Sequence, residues 1–219
     1  MNVRVKICGV TRPEDAALAI ELGASALGFV FWPDSPRVVS VETARLIASR
    51  MPPFVARVGV FVDMPPAEVA RIVHAVKLDA VQLHGDEQVS RYSSWDTRLI
   101  KSVRLASDAD VGTAAGLPAL VTPLVDAADR VKRGGTGRTA DWTRAAALSA
   151  RRPIMLAGGL SPENVADAIR TVRPWAVDVS SGVEESPGVK NADRLAHFFA
   201  TVRAVAADQA KGPRPMANG

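Results

Sequence analysis

The chain has 219 residues, of which 47% are hydrophobic and 23% charged, an ordinary globular composition that excludes wholesale disorder. Its net charge of +4 comes from 27 Lys and Arg against 23 Asp and Glu, scattered rather than clustered. An anionic small substrate accounts for that excess better than nucleic acid does. A single cysteine excludes an internal disulfide. The longest nearly apolar run, residues 24–32, is too short to span a bilayer, and Arg4 and Lys6 stand where a secretory leader would be apolar. The expectation is a cytoplasmic protein that needs neither membrane nor nucleic acid.

Strand-like runs recur at 3–8, 25–31, 57–62, 80–84, 99–103, 119–126, 154–157 and 176–180, each followed by helical spacing. Thr11 to Asp15 reads as a capped start for a helix over 16–22 that Gly23 closes. Met64-Pro65-Pro66-Ala67-Glu68 and Leu160-Ser161-Pro162-Glu163-Asn164 open two more helices, and the last runs over 191–206. Strict alternation at about 25 residues per unit predicts a single (β/α)8 TIM barrel with eight parallel strands over 1–206. Residues 207–219 are expected to form a disordered tail. A doubly wound open sheet is the competitor, but it gives no reason for polar residues along so many strands.

Strand parity adds detail. Val3, Val5 and Ile7 share one face of the first run, while Arg4, Lys6 and Cys8 share the other. Val81 and Leu83 oppose Gln82 and His84, and Val177 and Val179 oppose Asp178 and Ser180. The apolar sets face helices, and the polar sets face the barrel axis. Polar groups at carboxyl strand ends then converge on the face where barrel enzymes work. Lys6 and Asp178 could instead pair as internal barrel filling.

Loops after the seventh and eighth strands, containing Gly158-Gly159 and Ser181-Gly182, have the composition and position of a barrel phosphate site. A third glycine loop, 133–138, lacks the ending of an ATP-binding loop and reads as a lid or a surface excursion. Cys8 ends the first strand beside Lys6, whose ammonium would lower the thiol pKa and make thiolate available as base or nucleophile. Asp126 ends the sixth strand, with Asp129 three residues on. Two acid–base groups across a barrel mouth suit an isomerase. Arg37 can hold a carboxylate by two parallel hydrogen bonds. His74, His84 and His197 are dispersed and there is no second cysteine, so no metal is expected.

KICG (6–9), FxxxSPR (31–37), VGVF (58–61), QLHGDE (82–87), Asp126, GGTG (134–137), LAGGL (156–160) and DVSSGVE (178–184) stand in this order. Together they resemble the phosphoribosylanthranilate isomerase family over residues 3–203. One departure is Lys190-Asn191 in place of Lys-Asp, which should alter only a helix cap. The resemblance implies a cofactor-free Amadori rearrangement of a small phosphorylated substrate, with Asp126 as general acid and Cys8 as general base. It further implies Arg37 on the anthranilate carboxylate and Gly158, Gly159, Ser181 and Gly182 on phosphate, with His84 and Asp178 either touching the ribose hydroxyls or only filling the barrel mouth. A related ProFAR or dual-substrate isomerase would use two aspartates, which Cys8 argues against. A non-catalytic phosphate-binding barrel would need neither Cys8 nor Asp126. A monomer or weak homodimer is expected, since no helix shows an oversized apolar face.

Overall fold

A computed structural model describes residues 3–92, 95–126 and 142–211. The strands β1 (Arg4–Cys8), β2 (Ala26–Val30), β3 (Ala56–Phe61), β4 (Ala80–Leu83), β5 (Arg98–Val103), β6 (Val121–Asp126), β7 (Met155–Ala157) and β8 (Ala176–Val179) form a closed barrel in chain order. All eight pair in parallel, and β8 closes onto β1 with Lys6 level with Asp178. The helices are α1 (Pro13–Glu21), α2 (Val41–Ala48), α3 (Pro66–Val76), α4 (Asp108–Ala115), α5 (Trp142–Ser149), α6 (Val165–Val172) and α7 (Ala192–Lys211). None of those described is long and apolar enough to cross a membrane. A small antiparallel pair, β9 (Glu184–Ser186) and β10 (Val189–Lys190), follows β8.

The parity reading holds. Val58, Ala80, Ile100, Leu124, Met155 and Ala176 fill the barrel interior, whereas Val5, Ile7, Val81, Leu83, Val177 and Val179 belong to the larger core under the helices. Short inward side chains, Ala80, Ala157 and Ala176, sit among the longer ones in this interior.

Three local expectations change. Among the described residues no α-helix follows β4 before β5: a short 3-10 turn, Val89–Tyr92, takes its place. There Tyr92 is buried and meets Trp95 edge-on at 4.9 Å, so two aromatic rings supply the apolar cover that a helix stripe would. The segment also ties itself to the barrel mouth, because the Lys101 ammonium donates to the Gly85 carbonyl at 2.6 Å and to Glu87 at 3.1 Å. α1 begins on Pro13 with no side-chain cap. The groups that read as caps are used elsewhere: Thr11 Oγ1 donates to the Gly188 carbonyl at 2.6 Å, and buried Asp15 accepts from Lys190 N at 3.0 Å. Finally, α7 continues to Lys211, past the expected end at Ala206. Asn191 does cap it, accepting from Arg194 N at 2.9 Å. Residues 212–219, Asp129 and the glycine loop 133–138 lie outside the described residues.

Arg152 ties the end of α4 to the start of β6. Its Nη1 donates to the carbonyls of Ala114, Ala115 and Leu117, and its Nη2 to those of Pro118 and Val121, at 2.6–3.3 Å. One guanidinium thereby satisfies the carboxyl end of α4 and the turn into β6. Arg152→Ala should cost about 2–3 kcal/mol, since charge-assisted bonds are worth more than neutral ones but do not add fully. Scanning calorimetry should then show a fall in Tm of roughly 4–12 °C. A shift below about 1 °C would show that these bonds are replaced by water at no cost.

Candidate active site at the carboxyl end of the barrel

At the carboxyl mouth lies a cavity of about 390 Å³. Cys8, Arg37, His84, Asp126, Gly158, Gly159, Asp178 and Ser181 all line it, so eight of the nine expected site residues meet in one place. The ninth, Gly182, lies just behind the lining, where a Cβ would overlap the Leu160 carbonyl. That contact presses the loop after β8 against the loop after β7.

On the β1 side, Lys6 and Cys8 point inward from alternate positions. The Lys6 ammonium, 1% exposed, donates to Asp178 Oδ1 at 2.9 Å. The internal pairing of Lys6 and Asp178 is therefore real, and it also places a cation beside the thiol. Gly28 stands opposite Cys8 on β2 because a Cβ there would come within 2.9 Å of the sulfur and 3.0 Å of Lys6 Nζ. Burial pulls the Lys6 pKa down, but Asp178 and Cys8 outweigh it and the net shift is upward. The expected lowering of the thiol pKa does not appear. Burial pushes Cys8 up, and the charge of Asp178 adds to it; Lys6 and Lys190 pull the other way without compensating.

On the β6 side, Asp126 Oδ2 lies 3.8 Å from His84 Nε2. The Gln82 amide nitrogen is 3.0 Å from His84 Nδ1. In this arrangement Gln82 Oε1 is buried with no hydrogen-bond partner among the described residues, and the side chain lines the cavity. Parity placed Gln82 on the inward face, but nothing in the sequence distinguished it from barrel filling.

In the loop after β7 the two glycines take left-handed backbone. Gly158 and Gly159 adopt φ of 93° and 67°, a region costly for other residues. Asn164, one residue before α6, accepts from Ser161 N at 2.9 Å and donates to the Gly159 carbonyl at 2.8 Å, which fixes the loop shape. Arg37 already grips a carboxylate, but an internal one. Its Nε donates to Glu184 Oε1 at 2.9 Å and its Nη2 to Oε2 at 2.7 Å. Lys190 joins from the other side, 2.8 Å from Glu184 Oε1 and 2.6 Å from the Cys8 carbonyl. Neither Glu184 nor Lys190 had been given a role.

Residues 5–201 match the family model of N-(5'-phosphoribosyl)anthranilate isomerase. The enzyme of that name from Pseudomonas fluorescens is 46% identical over 202 residues, covering 92% of this chain and 98% of the relative. That from Geobacter sulfurreducens is 47% identical over 197 residues, covering 90% and 97%. The crystal structure of the Thermotoga maritima isomerase superposes with a TM-score of 0.85 at 44% identity, covering 92% of this chain and 99% of that one. A structure of phosphoribosyl anthranilate isomerase with reduced 1-(o-carboxyphenylamino)-1-deoxyribulose 5-phosphate gives a TM-score of 0.82 at 42% identity, covering 92% and 99%. With eight parallel strands closed in order and motifs matched along nearly the whole chain, this protein belongs to the N-(5'-phosphoribosyl)anthranilate isomerase family.

Proposed function

We propose that this chain converts N-(5'-phosphoribosyl)anthranilate into 1-(2-carboxyphenylamino)-1-deoxyribulose 5-phosphate, an isomerisation in tryptophan biosynthesis. The observation that carries this reading is one cavity with a thiol and a carboxyl on strands three steps apart around the barrel, β1 and β6. In this reading Asp126 donates a proton to the ribose ring oxygen, and the C1–O bond breaks to give the open imine. Cys8, as thiolate, then removes the C2 proton, and the electron pair moves to give an enolamine. Tautomerisation to the ketone ends the reaction with every atom retained. The Lys6 ammonium favours the thiolate by charge, while Asp178 keeps Lys6 in place.

Gly158, Gly159, Ser181 and Gly182 hold the phosphate through backbone N–H groups and the Ser181 hydroxyl, supported by the positive φ of the two glycines after β7. Arg37 faces the anthranilate carboxylate, and His84 and Asp178 stand by the ribose hydroxyls. Cytoplasmic placement goes with the biosynthetic role. For the oligomeric state, a weak homodimer has the support of Phe54, 95% exposed, and of a Thermotoga maritima relative described as dimeric. Incubation with N-(5'-phosphoribosyl)anthranilate labelled with ¹³C at ribose C2 should move that carbon into a ketone with no change of mass. Release of free anthranilate instead, or an unchanged spectrum, would contradict the assignment.

A further inference from the structure

We propose that Glu184 is a positioning residue for recognition of the substrate's carboxylate, holding Arg37 so that its unused guanidinium edge faces the cavity. This rests on the reading of Arg37 given above and extends it to residues outside the cavity lining. Arg37 lines the cavity, but Glu184 and Lys190 do not. The Glu184 side chain is 4% exposed and Lys190 0%, so neither is placed to touch a ligand there.

The hydrogen-bond geometry defines what Arg37 has left. A guanidinium carries five N–H groups. Glu184 takes the Nε–H and one Nη2–H by the parallel two-point contact, the side edge of the group. What remains is the end edge formed by Nη1 and the second Nη2–H, which matches a carboxylate equally well. A long arginine side chain free in solvent would have to lose its rotamer freedom on binding. Here that ordering is already done by Glu184, and by Gly9, where a Cβ would come within 2.6 Å of Arg37 Cδ.

Charge supports the same conclusion. Glu184 is shared by two cations, Arg37 and Lys190, so its one negative charge leaves the Arg37 guanidinium only partly neutralised. Burial works against the Glu184 carboxylate, but hydrogen bonds from Arg37 and Lys190 outweigh this and hold its pKa below the usual range. The carboxylate itself is fixed in turn: Gly188 N reaches Oε1 at 3.3 Å, and Lys190 also donates to the Cys8 carbonyl. The hairpin of β9 and β10 thus ties the carboxylate-reading arginine to the strand end that carries the thiol.

Glu184→Gln keeps the shape but turns an amide NH₂ toward the guanidinium in either orientation, and removes the counter-charge. Two ligands read the result: reduced 1-(o-carboxyphenylamino)-1-deoxyribulose 5-phosphate, and the same compound with phenyl in place of o-carboxyphenyl. Their dissociation constants are measured by calorimetry on wild type, Glu184→Gln, Glu184→Asp and Arg37→Ala. The proposal predicts that E184Q weakens the carboxylate ligand at least tenfold and the phenyl ligand less than threefold, approaching R37A. E184D, which restores the charge with a shorter reach, should recover part of the difference. Equal weakening of both ligands, or none, would overturn the proposal, since a merely structural role cannot tell them apart. Should E184Q fail to fold, E184D carries the comparison, and full wild-type discrimination in it would likewise overturn the proposal. A wild type that binds both ligands equally would instead contradict the reading of Arg37 itself.

Discussion

Asp126→Asn should lower kcat on N-(5'-phosphoribosyl)anthranilate by about 10³-fold or more, within the range general acid–base catalysis supplies. The ring oxygen is a poor leaving group until protonated, and an amide cannot deliver that proton. Asparagine retains the size and most of the hydrogen-bonding shape of aspartate, so the contact with His84 and the packing at the end of β6 should survive. Binding of the reduced product analogue should accordingly change by less than about threefold, because the interaction lost belongs to the transition state. Near-normal kcat in this variant would remove Asp126 as the acid. Parallel loss of binding and melting temperature would make it a structural residue.

Cys8→Ala should have a comparable effect on kcat, again with little change in affinity. The thiol acts only once deprotonated, and its pKa is raised by burial against the pull of Lys6. The sign of the pH dependence follows. Below the thiol pKa the thiolate fraction rises tenfold per pH unit, so alkylation of Cys8 by iodoacetamide should speed up through the alkaline range and level off above the ordinary thiol value. Cys8→Ala should lose this limb. Cys8→Ser should not restore it, because a hydroxyl is far harder to ionise than a thiol. A wild-type alkylation profile flat from pH 6 to pH 10, about the range in which a thiol could titrate, would contradict the raised thiol pKa.

The parts of this molecule that the sequence discloses are those with local patterns. All eight strands fall within one or two residues of the β-rich runs that announce them, and β1, β4 and β8 also alternate, because a barrel strand places helices on one face and filling on the other. The same alternation put Lys6, Cys8, Gln82, His84 and Asp178 on the inner face. The cover over β4 was not legible, since Tyr92 and Trp95 do by ring packing what a helical stripe would have signalled by spacing. Nor could sequence spacing reveal the partner of Arg37. Glu184 lies 147 positions away, and Lys190 meets the Cys8 carbonyl across 182. Only closure of the barrel brings them together. Cys8 shows a different gap: the sequence names its cationic neighbour but not the degree of burial that outweighs it.

The most direct test is the loss of fluorescence of N-(5'-phosphoribosyl)anthranilate, freshly generated from anthranilate, with wild type and Cys8→Ala side by side. The account predicts rapid decay with wild type and, with a variant that melts and binds product analogue normally, decay slowed by about 10³-fold. A folded wild type that leaves the signal unchanged, or a Cys8→Ala that matches it, would contradict the assignment of this cavity and its thiol.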